Sequence, residues 1–180
     1  MNFPVNERKA TDAIARLIER SGKDVDYLRV VKLIYLADRE SILKRGIPIV
    51  GGKYFSMWMG PVISEVMDFV KQRNAPHWKE VISPLHGNAL NLVGGTHYDS
   101  LTSSEIEILD FIVERFSALS TEDLVEWCHE NCPEYEKVAP KGRKPIAIET
   151  MLKAERKRPE TIAKLVARAR ELTELNAILA

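Results

Sequence analysis

Only two cysteines, Cys128 and Cys132, occur among the 180 residues, too few for the disulfide framework on which small secreted domains rely. Uninterrupted apolar runs are a few residues long, so no segment approaches the roughly 20 residues of a membrane-spanning helix. The N-terminal MNFPVNERKATD has no basic-then-apolar layout of a secretory signal, and a cytoplasmic protein without membrane contact is expected. Net charge is absent as well: 26 Lys and Arg balance 26 Asp and Glu. No internal repeat or low-complexity tract is visible. What remains is an ordinary globular composition, 45% hydrophobic and 29% charged, at a length that supports one domain with an appendage.

The balanced total hides an uneven distribution. From Asp99 to Glu136 eleven acidic side chains face Arg115 alone, whereas from Lys137 to Arg170 eleven basic side chains face three acidic ones. An acidic stretch followed by a basic one either pairs and solvates on opposite helix faces, or offers a basic surface to nucleic acid or an acidic partner.

Periodicity reads mostly as helix. Ala10, Ala13, Ile14, Leu17 and Ile18 recur at helical spacing between about Asn6 and Ser21, giving an amphipathic first helix. A second starts after an Asp24 cap and runs to Arg45, where Gly46 closes it. GIPIVGGKYFSMWMGPV is rich in β-branched and aromatic residues around Gly51-Gly52 and reads as an irregular hairpin. Pro61 suits the first turn of a third helix with Val62, Val66, Phe69 and Val70 as its stripe, ended by Asn74-Ala75-Pro76. Trp78 to Val93 fits a short hairpin about His86-Gly87-Asn88. Thr102 with Glu105, and Ser120 with Asp123, have capping-box spacing for two further helices. Lys141 to Pro145 is the best linker candidate, and helices follow from about Ile146 and from Pro159. The expected fold is therefore mainly α with a small antiparallel β element, as a domain over residues 1–140 and a basic helical extension over 141–180.

The second helix contains KLIYLADRE, residues 32–40, and is apolar nearly all round, the pattern of a helix surrounded by others. Lys32 and Arg39 project together beside Leu28, Tyr35, Leu36 and Leu43, while Asp38 points into a gap by Val31 and Ile34. Two arrangements satisfy such charges. In one, basic stems lie on apolar surface with their heads in water and Asp38 pairs or caps a backbone group. In the other, Lys32, Tyr35 and Arg39 line a surface groove beside the hairpin. In YFSMWM, Tyr54, Ser56 and Trp58 alternate with Phe55, Met57 and Met59. These either cover both faces of a strand or furnish a hydrophobic docking surface.

Catalytic constellations are missing. CHENC stacks Cys128 and Cys132 one turn apart, but a structural zinc site wants four ligands in separated pairs, and His77, His86 and His97 have no paired spacing. VGGK lacks the rest of a phosphate-binding loop. His129 reads as a hydrogen-bonded structural histidine near a helix end. Neither an enzyme, a metal nor a cofactor is expected.

The stretch from KLIYLADRE to GPVISEV resembles the Panacea domain, the SocA-like antitoxin family. Lys32, Leu33, Tyr35, Ala37, Gly46, Ile49, Tyr54, Gly60, Pro61 and Val62 fall in register with it, and in LVEWCHENCPEYE the residues His129, Pro133 and Tyr135 continue the match. Glu134 stands where the family has an aromatic. The resemblance covers about residues 7–136 and implies a helical domain with a small β element that neutralises a toxin by direct binding. At least one member hands its toxin to the ClpXP protease as an adaptor. It starts so near Met1 that no upstream DNA-binding domain is expected, leaving the basic C-terminal helices as the nucleic-acid alternative. On this reading Lys32, Tyr35, Arg39, Tyr54 and Trp58 are the candidate toxin-binding residues, and Gly46, Gly60, Pro61 and His129 are structural.

Overall fold

Small polar residues set the helix starts. In the computed structural model, which describes residues 3–73, 75–155 and 158–179, α1 (Glu7–Ser21) follows Asn6, whose side chain accepts the Lys9 N–H at 3.0 Å. Helix α2 (Tyr27–Arg45) begins after Asp26, which accepts the Leu28 N–H at 2.7 Å, and not after Asp24 as expected. Asp24 instead adopts a φ of 52° and exchanges two hydrogen bonds with Asn91, pinning β1 (Val25–Asp26) against β4 (Ala89–Leu90). Gly46 closes α2 as expected: its φ of 80° is left-handed, and a Cβ there would lie 2.8 Å from Leu165 Cδ2. Glycine is needed for both reasons.

Helix α2 is the axis of the molecule. It packs against α1, α3 (Ser64–Val70), α5 (Ser103–Arg115), α6 (Thr121–Asn131) and α7 (Ile148–Ala154). Val30, Val31, Leu33, Ile34, Ala37 and Ile42 have no solvent exposure, each larger side chain contributing about 1.5–3 kcal/mol through burial. The mainly α fold with small antiparallel sheets agrees with the sequence pattern. Thr102 and Glu105 make the expected reciprocal capping box on α5, whereas on α6 the Ser120 half forms, its hydroxyl accepting the Asp123 N–H at 3.0 Å, and the Asp123 carboxylate accepts from that same hydroxyl.

The β element differs from expectation in its details. The hairpin pairs β2 (Tyr54–Met57) with β3 (Gly60–Ile63), and its turn is Trp58-Met59, not Gly51-Gly52. Gly60 takes the left-handed conformation, φ 95°, that a tight connection of this kind requires. Pro61 lies in β3, not in a helix. A missing N–H suits an edge strand as well as a first helical turn, and β3 is an edge in the order β3-β2-β5. Trp78 belongs to α4 (Pro76–Val81), opened by Pro76, so the second hairpin shrinks to the bridges Ile82 to Leu92 and His86 to Ala89. Asn74 lies outside the described residues. Residues 143–146, read as linker, form β5 (Arg143–Ile146), antiparallel to β2. Helix α7 then returns to α2, and α8 (Pro159–Leu179) packs on α7. Arg156 and Lys157 of the basic stretch also lie outside the described residues.

Candidate docking surface and the ionic interior beneath it

The charges of α2 face inward. Lys32 and Tyr35 have no exposure, Arg39 has 7% and Tyr54 has 4%, so the expected open groove along α2 does not exist. Neighbouring elements supply partners. Lys32 Nζ donates to the Pro61 carbonyl at 2.9 Å. Tyr35 Oη and Arg39 Nε both donate to Glu134 Oε1 at 2.7 Å, and Arg39 Nη2 donates to Glu134 Oε2 at 3.1 Å and to Glu155 at the end of α7. Asp38 accepts the N–H groups of Ile49, Val50 and Gly51 and the Tyr54 hydroxyl, all between 2.8 and 2.9 Å. A buried carboxylate with four donors is a satisfied strut. The groups thus fasten the loop before β2, the strand itself, β3 and the C-terminal segment to one helix.

Burial and pairing set the protonation of these groups. Burial depresses Lys32 to about 8, opposed by the neighbouring sulfurs of Cys128 and Cys132. Burial pushes Asp38 up to about 6 against the pull of its donors. For Arg39 burial pulls downward, but hydrogen bonding to Glu134 and its charge win and raise the guanidinium further. Burial, with the Glu134 and Asp38 carboxylates respectively, drives the Tyr35 and Tyr54 hydroxyls well above their ordinary range. None of these groups is an accessible acid or base.

Strand parity decides what reaches solvent. Tyr54 and Ser56 face the core, whereas Phe55 and Met57 face outward and are half-buried. Trp58 and Met59 at the turn are 46% and 43% exposed. Of the five expected binding residues, Trp58 alone lies open. Phe55, Met57, Val62, Met67, Lys71 and Arg143 line a shallow groove of about 160 Å³ running from the outer sheet face to α3. The Arg143 guanidinium lies 5.1 Å from the Phe55 ring centre, a cation–π contact. Met59 continues the apolar surface at the tip. Ser64 and Asp68 complete the lining, so methionine and aromatic groups lie among charges of both signs, a composition in which methionine supplies adaptable apolar contact.

A brace from the end of α6 holds the hairpin from behind. The Tyr135 hydroxyl donates to the Met57 carbonyl at 3.2 Å, and the Glu136 N–H donates to the Ser56 hydroxyl at 3.0 Å. The His129 ring stacks on Tyr135 with centres 4.7 Å apart, which gives His129 its structural place. Contrary to the expected hydrogen-bonded histidine, its Nε2 is buried without a hydrogen-bond partner among the described residues, and burial lowers its pKa. A Cβ on Gly60 would lie 3.2 Å from Lys32 Nζ and 3.4 Å from the His129 ring, so Gly60 admits close approach as well as the turn.

Among the described residues no group of three or more His, Cys, Asp or Glu is placed to hold a metal, and no helix is long and apolar enough to cross a membrane. Two cations of the basic stretch are engaged, Arg143 on Phe55 and Lys144 with Glu136. Exposed Lys164, Arg168 and Arg170 share α8 with exposed Glu160, Glu171 and Glu174, a mixed face that does not make a single-sign field. Sequence reasoning missed Glu134, whose partners are 95 and 99 residues away, because no local pattern carries such a pairing. It also missed Met67, and it weighed Phe55, Met57 and Met59 as docking-surface material without choosing them over Tyr54. Their alternation was visible, but not which parity faced the core.

The family model described as antitoxin SocA-like, Panacea domain, matches residues 30–134, more than half of the chain. No curated protein and no solved structure matches it.

Proposed function

The chain belongs to the SocA-like antitoxin, Panacea domain family, and from that premise we propose that it neutralises a cognate protein toxin by non-covalent docking on the outer hairpin face. Phe55, Met57, Trp58, Met59 and Met67 supply the apolar contact, and Lys71 and Arg143 border it. The observation that carries this reading is the exposure of Trp58 and Met59 at the tip of a hairpin whose other face is tied to α2. A rigidly held strand bearing large exposed side chains loses little conformational entropy on binding, and aromatic anchors dominate interface energetics. Lys32, Tyr35, Arg39 and Tyr54 act through the hairpin they position. The binding function needs no chemistry from the chain.

The test is co-expression with the product of the adjacent reading frame, scored by growth and by co-purification. Trp58→Ala and Met57→Glu abolish rescue and co-purification while melting like wild type; rescue in both variants rules the face out. Adaptor behaviour is separated by toxin level, which falls in a ClpXP-dependent manner for delivery and stays constant for sequestration.

A further inference from the structure

The Cys128 and Cys132 pair has no part in the docking surface, yet it lies where the brace begins. Both are free thiols with exposures of 0% and 1%. Cys128 is in the last turn of α6, and Cys132 is its C-cap, with a ψ of 90° that leaves the helix. The charges of Lys32, Arg39 and Glu134 act on both sulfurs. Residues four apart on a helix place their Cα atoms about 6 Å apart, within the range a disulfide spans. The second cysteine sits at a helix end, where the backbone has freedom to adjust.

We propose that Cys128 and Cys132 form a redox-responsive dithiol, a peroxide-modified site whose oxidation to an intrachain disulfide loosens the docking hairpin. The Cys128 sulfur, in the field of the Lys32 cation, attacks one oxygen of hydrogen peroxide. The O–O bond breaks, the departing hydroxide takes the thiol proton as water, and Cys128 becomes a sulfenic acid. The Cys132 sulfur then attacks the Cys128 sulfur; the S–S bond forms, the S–O bond breaks, and the second hydroxide leaves with the Cys132 proton as water. Two thiols lose two electrons in total, and one peroxide becomes two waters.

Structural consequences follow from connectivity. Closing the bond draws Cys132 toward Cys128 and moves Pro133 and Glu134 with it. Glu134 holds Tyr35 and Arg39, and the next two residues donate the hydrogen bonds to Met57 and Ser56. The brace and the hairpin therefore shift together. Reduced thiols permit the arrangement seen in the structure, and the disulfide opposes it. The effect on toxin binding rests on the docking proposal, but the chemistry and the loosening do not.

The experiment uses the purified full chain and hydrogen peroxide, with no toxin present. Thiol counting after denaturation falls from two to zero, the intact mass drops by two hydrogens, and dithiothreitol restores both. Amide exchange over residues 54–60 and 134–136 accelerates on the order of tenfold after oxidation. Cys128→Ser and Cys132→Ser, each melting near wild type when reduced, show no such acceleration. Persistence of both thiols, over-oxidation without a disulfide, disulfide-linked dimers, or a disulfide with unchanged exchange in those segments would each overturn the proposal. If one serine variant fails to fold, the wild-type thiol count, mass and exchange still decide it.

Discussion

Arg39→Met removes the cation that holds Glu134 inside the protein. The Glu134 side chain has no exposure and that of Arg39 has 9%, so the carboxylate would be left with the Tyr35 hydroxyl as its remaining hydrogen-bond donor. Removing one member of a buried ion pair costs about 3–5 kcal/mol, because the other stays desolvated and uncompensated. The contact to Glu155, whose side chain is 37% exposed, adds less than about 1 kcal/mol. For a chain of this length each kcal/mol lowers Tm by about 2–4 °C, so the variant should melt roughly 6–20 °C lower. Arg39→Met with Glu134→Gln removes both charges and keeps an acceptor for Tyr35, and should recover on the order of 2 kcal/mol. Urea unfolding of the four proteins of the cycle gives the coupling. An Arg39→Met protein within about 1 kcal/mol of wild type, or no recovery in the double variant, would refute the buried-strut reasoning.

Lys32 makes stability rise with alkaline pH. Its folded pKa of about 8 lies below the ordinary value of 10.5, so between them the folded chain binds fewer protons than the unfolded chain, and unfolding is increasingly opposed. Wild type should gain roughly 2 kcal/mol on Lys32→Met between pH 8 and pH 10; parallel stability curves would contradict this. Gly60→Ala should cost about 2 kcal/mol, from its φ of 95° and the crowding by Lys32 and His129. Gly87→Ala, at φ 61° with nothing within 4 Å, should cost about 1 kcal/mol, and equal losses would remove the close-approach argument.

Much of this architecture was legible in local patterns. The all-round apolar character of α2 marked it as central, and the Thr102/Glu105 and Ser120/Asp123 spacings located two helix starts. Gly46 marked an end. Local rules failed where two structures satisfy the same residue. Pro61 meets the requirements of an edge strand and of a first helical turn equally, and Asp24 and Asp26 are both competent caps. Residues 143–146 are polar enough for a linker and become a strand because β2 offers a free edge. The site was half legible. The charges of α2 were correctly singled out, but their partners lie far away in sequence, and only tertiary packing turns a groove-like pattern into an interior.

The most direct measurement is calorimetric titration of folded variants with the purified toxin, comparing one change on the outer hairpin face with one in the interior. Trp58→Ala should reduce affinity by at least roughly 2 kcal/mol, as truncating an aromatic anchor does, whereas the folded Arg39→Met/Glu134→Gln protein, which keeps every outer-face side chain and alters only the support behind the hairpin, should lose less. Wild-type affinity for Trp58→Ala, together with lost binding in the folded interior variant, would contradict the account.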